Sequence, residues 1–348
     1  MPIDLGKGVS YDALLFASFG GPDGPEDVVP FLENVTRGRG IPPERLREVA
    51  KNYELFGGRS PINEQNLSLI RALEAEFERV GLVLPIYFGN RHWRPTLADA
   101  IGRMKRDGVR NALAFVTSAY SSYSGCRAYL EDIAQAQAEV GGAAPRIDKL
   151  RAFWNHPGFV EPLAGNVQRA LDTIPADRRA RAAVAYTAHS IPVAMSDGCD
   201  YLAQLRETAG LIDERLRRAV PGRLVFQSRS GPPQQPWLEP DICEHLASLH
   251  GDGVEDVVVA PIGFLCDHME VVFDLDTQAL AKARELGIGM VRAATVGTAP
   301  AFVSMIAELV RERVDPTAPR RALGRLGARV VPCAPDCCPA PRRPQPGH

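Results

Sequence analysis

Short apolar runs recur along this chain, and each stops abruptly in a loop rich in Gly, Pro or Ser. "ALLFASF" over Ala13–Phe19 breaks into "GGPDGP", and "LVLPIYFGN", "NALAFVTSA", "AAVAYTAHS", "RLVFQS" and "DVVVAPIGF" repeat the form. Amphipathic stretches stand between them, at Glu26–Thr36, Pro43–Phe56 and Asn63–Val80, and in "LADAIGRMKRDG" and "TAGLIDERLRRAV". A strand that is apolar along its whole length is buried on both faces, and such strands alternating with helices predict βαβ units around a parallel sheet.

The pattern also divides. "ALLFASFGGP" and "AVAYTAHSIP" are each a strand breaking into a proline-ended loop, whereas "ALAFVTSAYSSYSG" and "VVVAPIGFLCDHME" are each a strand, a loop and a helix. We therefore expect two Rossmann-like, doubly wound α/β domains of similar architecture, with a cleft between them. A length of 348 residues suits two cores better than one. The expected domains are residues 1–150 and 151–298, joined near Lys149–His156. A final helix at 299–315 packs back on the first domain, and 316–348 is a tail rich in Pro, Arg and Cys. Convergent strand–loop chemistry is the plainer alternative to two related halves.

Lys+Arg 40 against Asp+Glu 42 leaves a net charge of -2, which gives no general footprint for nucleic acid. The N-terminal "MPIDLGKGVSYDALLF" lacks the pattern of a secretory signal, and apolar runs such as "VVVAPIGFLC" are too short to span a bilayer. The expectation is a cytoplasmic protein without membrane insertion, whose cysteines are free, catalytic or metal-bound. "FGGPDGP" places prolines where a phosphate-binding helix would open, and there is no G-x-S-x-G elbow.

Ligands of open parallel sheets sit beyond the carboxyl ends of the strands, which directs attention to Ser18–Pro22, Ser118–Gly125, His189–Pro192, Gln227–Gly231 and Gly263–Glu270. His189 ends a strand at "YTAHSIP", and imidazole can take or give a proton near neutrality. A hydrogen-bonded histidine that merely closes the strand is the alternative. In "GFLCDHMEVVFDLD", Glu270 and Asp274 are four apart and share a helical face, where they could pass a cation inward. Asp267 followed by Glu270 equally fits a capping box. Arg37, Arg39 and Arg59 lie in Gly-rich contexts and would suit a ligand with several carboxylates, or simply form a solvated basic surface.

Taken together, "YELFGGRSPIN", "YTAHSIP", "FQSRSGPPQQPWLEP" and "PIGFLCDHMEVVFDLD" resemble the ferrochelatase family, in the family's order and over most of residues 12–313. "SFGGPDGPEDVVPFLENVTRGRGIP" and "TSAYSSYSGCRAYLEDI" are similar to its actinobacterial coproporphyrin branch. The resemblance implies an enzyme that inserts Fe²⁺, as substrate, into coproporphyrin III to give coproheme. It implies His189 as iron ligand or proton acceptor, Glu270 as its acidic partner and Asp274 as the continuation of the acidic row. Tyr53, Ser60, Arg37, Arg39, Phe19 and Tyr123 are the implied porphyrin contacts. A monomer in passing contact with neighbouring haem-pathway enzymes is expected.

Two departures stand out. Phe19 replaces a tyrosine common in relatives and removes an axial hydroxyl, and Gln278 replaces an acid one turn beyond Asp274. Some members hold a [2Fe–2S] cluster on one internal and three C-terminal cysteines, and the resemblance implies such a cluster here on Cys126, Cys333, Cys337 and Cys338. A zinc site or an unstructured thiol-bearing tail is the alternative for these residues. Cys199, Cys243 and Cys266 read as ordinary buried thiols. Competing functions are iron insertion into protoporphyrin IX, a related cobalt or iron chelatase acting on another tetrapyrrole, and a porphyrin or haem carrier with no chemistry.

Overall fold

The computed structural model describes residues 10–38, 40–231, 234–334 and 336–340. Arg39 and the tail beyond residue 340 lie outside the described residues. Eight strands form two sheets: β1 (Ala13–Ser18), β2 (Ile86–Asn90), β3 (Asn111–Val116) and β4 (Arg146–Lys149) make the first, and β5 (Ala183–His189), β6 (Arg223–Gln227), β7 (Asp256–Ala260) and β8 (Gly289–Arg292) the second. The orders are β2-β1-β3-β4 and β6-β5-β7-β8. Every pairing is parallel.

The orders are the same permutation of successive strands. β1 and β5 therefore hold equivalent places, as do β3 and β7, which are the pairs whose sequences look alike. A further parallel was not legible in the sequence. β3 leads through a loop, and β7 through a loop and the short helix Met269–Val272, to a π-helical turn, at Tyr123–Arg127 and Asp274–Ala279. Such turns wind one residue wider than an α-helix and recur at functional sites.

β1, β3, β5 and β7 carry the apolar runs and are almost wholly buried. The edge strands β4 and β8 were not anticipated. They span four residues each, "RIDK" and "GMVR", and are half-exposed, so no apolar run marks them. The three amphipathic segments of the first half become helices Pro25–Thr36, Pro43–Glu54 and Ile62–Val80.

One apolar cluster runs through both halves, from Phe16 and Phe115 to Tyr186 and Val258. Its centre is aromatic: Phe115 stacks on Phe153 at 5.6 Å, and Phe153 and Phe302 both meet Phe159, at 5.6 and 6.1 Å. Burying each such ring contributes about 1.5–3 kcal/mol. The helix Pro300–Val314 supplies Phe302 and reaches the first sheet's surroundings, where Arg311 donates to the Val80 carbonyl at 2.8 Å and Arg313 to the Tyr11 hydroxyl at 2.9 Å.

Residues 315–334 and 336–340 form no helix or strand, yet the segment is tied down. Glu207 accepts from the Arg325 and Leu326 amides at 2.6 and 2.8 Å and from Trp154 and Asn155 at 2.8 and 3.1 Å. Composition predicted the missing periodicity but not this anchoring, which depends on a carboxylate more than a hundred residues away.

His156 begins the helix Pro157–Asp172 by accepting the Gly158 amide on Nδ1 at 3.0 Å, so its neutral ring carries hydrogen on Nε2. Burial, followed by the charges of Arg151 and Arg321, lowers it to about 3, and Glu308 at 3.3 Å does not reverse this. The unfolded chain would bind a proton near the usual value of about 6.5, so the stability due to neutral His156 is complete above that pH and is lost as pH falls toward 3. We expect His156→Asn, which keeps a capping oxygen, to flatten the fall of melting temperature between pH 6.5 and 5 relative to the parent protein. Parallel melting curves check this, and identical slopes would contradict it.

Candidate active site

β5 delivers His189 to the carboxyl edge of the second sheet, in register with Gln227 of β6. The ring is fixed at both nitrogens: Nδ1 bonds the Ser190 carbonyl and Nε2 lies 3.2 Å from Oε1 of Glu270. The main chain is held as well, since the Tyr201 hydroxyl donates to the His189 carbonyl at 2.9 Å.

The loop after β7 carries the acid, and it approaches β5 through a glycine. A Cβ on Gly263 would come within 2.7 Å of the Ala188 Cα, so only glycine lets this loop rest against the strand. The Gly263 amide donates to the Thr187 carbonyl at 3.0 Å. Farther along, the Asp267 amide donates to Gln65 at 2.9 Å, tying the loop to the first half.

The capping-box reading of Asp267 and Glu270 does not hold. The short helix Met269–Val272 is capped by His268, whose Nδ1 accepts the Glu270 amide at 3.2 Å. Asp267 instead faces Arg292, with both contacts at 3.1 Å, and the Glu270 carboxylate is left to pair with His189. Gln227 donates to the Glu270 main-chain carbonyl. Asp274, first in the π-helical turn, accepts from the Ser228 hydroxyl.

The electrostatics divide these groups. Burial works to lower the basicity of His189, but the charge and hydrogen bond of Glu270, the Ser190 carbonyl and the charge of Asp274 outweigh it and raise the ring to about 9. Burial likewise opposes ionisation of Glu270 and is outweighed by His189, so this carboxyl drops to about 2. Asp274 goes the other way: burial and the charge of Glu270 push it up to about 7 against the Ser228 hydrogen bond. The resting pair at neutral pH is imidazolium and carboxylate, with the less acidic Asp274 carboxyl nearby.

Tyr53 is 9% exposed, and burial and then the charge of Glu270 raise its hydroxyl. Its ring meets Phe31 at 6.2 Å, and Phe31 meets Phe19 at 6.3 Å. Phe19 is 36% exposed and rests edge-on against His92 at 4.5 Å. Ser60 is buried, with its amide on the Pro22 carbonyl at 2.9 Å. Phe31 and Tyr53, from the helices Pro25–Thr36 and Pro43–Glu54, share an apolar cluster with Met269, the neighbour of Glu270.

Other expected contacts lie apart. Tyr123 gives its hydroxyl to Glu131 at 2.8 Å. Arg37 is exposed, donates to Asn34, and lines a groove of about 990 Å³ with His92, Trp93 and Arg94. Sequence reading missed His92 and Tyr201, and it flagged the stretches holding His268, Gln227 and Ser228 without giving those residues a role. The last two lie in the quoted "FQSRSG", but nothing in that string tells which acid they meet.

The ferrochelatase family model matches residues 11–314. The chain is 53% identical to the ferrochelatase of Rhodopirellula baltica over 96% of its own length and 95% of that protein. It is 52% identical to the coproporphyrin III ferrochelatase of Streptomyces coelicolor over 97% of its length and 95% of that protein. The chain belongs to the ferrochelatase family. The solved structure of SirB from Bacillus subtilis with Fe³⁺ shares the fold at a TM-score of 0.50 and 13% identity, covering 90% of this chain and 99% of that one.

For this ferrochelatase the expectation of a [2Fe–2S] cluster on Cys126, Cys333, Cys337 and Cys338 is corrected. Among the described residues no group of three or more His, Cys, Asp or Glu side chains is placed to hold a metal ion. Cys337 Sγ receives an Arg329 guanidinium at 2.9 Å. A hydrogen bond with Cys126, and then burial, raise the Cys333 thiol. Cys338 is buried, with Sγ 3.6 Å from that of Cys337. Proximity in sequence and in space is thus spent on hydrogen bonds and packing.

The histidine assignment can be read directly by NMR. In the parent protein the His189 ring should titrate near 9, and in Glu270→Gln it should fall well below that, since the burial that opposes charge remains while its partner is gone. A ring that titrates alike in both proteins would contradict the pairing.

Proposed function

We propose that this ferrochelatase inserts ferrous iron into coproporphyrin III, releasing the two pyrrole protons and leaving Fe-coproporphyrin. The observation that carries the reading is the His189–Glu270 pair at 3.2 Å, imidazole and carboxylate presented together at the carboxyl edge of the second sheet. Relatives about half identical over nearly the whole chain carry the name coproporphyrin III ferrochelatase, which favours that porphyrin over protoporphyrin IX.

The chemistry follows from charge. Metallation dehydrates a dication and removes two protons from the macrocycle, so it needs a group that takes protons and a carboxylate that balances the metal. Glu270, ionised at neutrality, supplies the counter-charge. Nε2 of His189 holds a proton that an arriving ferrous ion must displace before the ring can act as ligand or base. Asp274, the less acidic of the two carboxyls because burial and the charge of Glu270 oppose its ionisation, is suited to pass protons away from the pair.

Phe19, Tyr53, Ser60 and Tyr123 are our candidates for contacts to the macrocycle, and Arg37 and Arg39 for its carboxylates. No helix among the described residues is long and apolar enough to cross a membrane. We place the enzyme in the cytoplasm as a monomer that meets other haem-pathway enzymes transiently. We assign residues 1–150 and 151–298 to its two domains, 299–315 to the closing helix and 316–348 to the tail.

Anaerobic Fe²⁺ offered in parallel with coproporphyrin III, protoporphyrin IX and sirohydrochlorin tests the reaction. Coproporphyrin III should be metallated fastest, and equal use of protoporphyrin IX would overturn the substrate but not the reaction. His189→Ala should lose roughly 10²–10⁴-fold in turnover while still binding porphyrin. A carrier would lose nothing. Glu270→Gln should cost more turnover than Asp274→Asn, because Glu270 alone of the two touches His189.

A further inference from the structure

Ser228 follows β6 with φ +63°, in the left-handed region that residues with a Cβ avoid. Glycine would adopt this conformation without cost. What serine adds is a hydroxyl, and that hydroxyl donates to Oδ2 of Asp274. The preceding residue holds the other acid, since Gln227 is 1% exposed and donates to the main-chain carbonyl of Glu270. Two successive residues at the end of one strand thus fix the two acids of the neighbouring segment, one by its backbone and one by its carboxylate.

The acid that Ser228 holds starts the π-helical turn Asp274–Ala279, so its direction is not fixed by a regular helix. The residue is half-buried. Its donors are the Ser228 hydroxyl and, after it, the Gln227 side chain. Backbone strain kept beside a reactive group, where an unstrained residue would serve the turn equally well, points to a use for the side chain.

We propose that Ser228 is a positioning residue for metal insertion, whose hydroxyl fixes the Asp274 carboxylate beside the His189–Glu270 pair and so governs capture of the incoming cation. The proposal rests on the metallation reading above. It adds a requirement outside the acids themselves: a hydroxyl at a strained turn on the adjacent strand.

Ser228→Gly separates this role from a structural one, because it removes the hydroxyl and relieves the backbone at once. Its melting temperature should equal or exceed that of the parent protein. Its KM for Fe²⁺ in anaerobic metallation of coproporphyrin III should rise roughly tenfold, the loss of one hydrogen bond to a charged group, while the KM for coproporphyrin III stays within about twofold. Adding Ser228→Gly to Asp274→Asn should cost nothing beyond Asp274→Asn alone. Zn²⁺ binding to the porphyrin-free protein by calorimetry should weaken in parallel, and this decides the proposal even if coproporphyrin III proves not to be the substrate. Unchanged metal dependence in Ser228→Gly, or losses that add in the double variant, would overturn it. If Ser228→Gly fails to fold, the same comparisons on Ser228→Ala decide the question.

Discussion

The structure depends on one apolar core that belongs to both sheets. Phe115 comes from the first sheet, Phe153 and Phe159 from the connection that follows it, and Phe302 from the closing helix, and their rings touch in a continuous group. Close-packed interiors do not slide, so this contact sets how the two sheets face each other. Polar ties on the active-site side follow from it. Tyr120 donates to the Ile262 carbonyl at 3.0 Å, and Gln204 both accepts from and donates to Ser121, at 2.7 and 3.0 Å.

That placement brings the ends of β5, β6 and β7 beside the helical wall of the first half. Each residue of the site is then tied by a hydrogen bond: the main chain of His189 by Tyr201, the main chain of Glu270 by Gln227 and His268, and the carboxylate of Asp274 by Ser228. Reactive groups held this way need little reorganisation when a cation arrives, which is how a preorganised site lowers a barrier. The opposite displacements of Glu270 and Asp274 follow from the same arrangement. One carboxylate has a cationic partner at contact distance and the other has a hydroxyl and a nearby like charge.

The fold was largely legible because its central strands are apolar throughout and end in loops that chain chemistry alone can mark. The equivalence of β1 with β5 and of β3 with β7 was visible in matched strand–loop strings. β4 and β8 were not, because half-exposed edge strands carry no run to detect. His189, Glu270 and Asp274 were readable as chemically able residues at strand and helix ends. Their division of labour was not, and the capping box that Asp267 and Glu270 could have formed was a fair local alternative. Arg292 takes Asp267 away and His268 takes over the cap, and both choices are made by residues whose position depends on the fold.

The cysteines show the same limit from the other side. Three thiols in the six residues Cys333–Cys338 and a fourth at Cys126 are a fact of the sequence, and the resemblance drew a cluster from them. In the folded chain Arg329 reaches Cys337 and Cys126 bonds Cys333, so hydrogen-bonding partners decide the state of those sulfurs. The sequence by itself determined the parallel α/β architecture, the two similar halves and the identity of the groups able to move protons and bind iron, because periodicity and residue chemistry are local. Tertiary structure decided which of those groups meet, which are charged and which are only packed. Hydrogen bonds and low-dielectric burial act through space between residues such as His189 and Glu270, eighty-one positions apart.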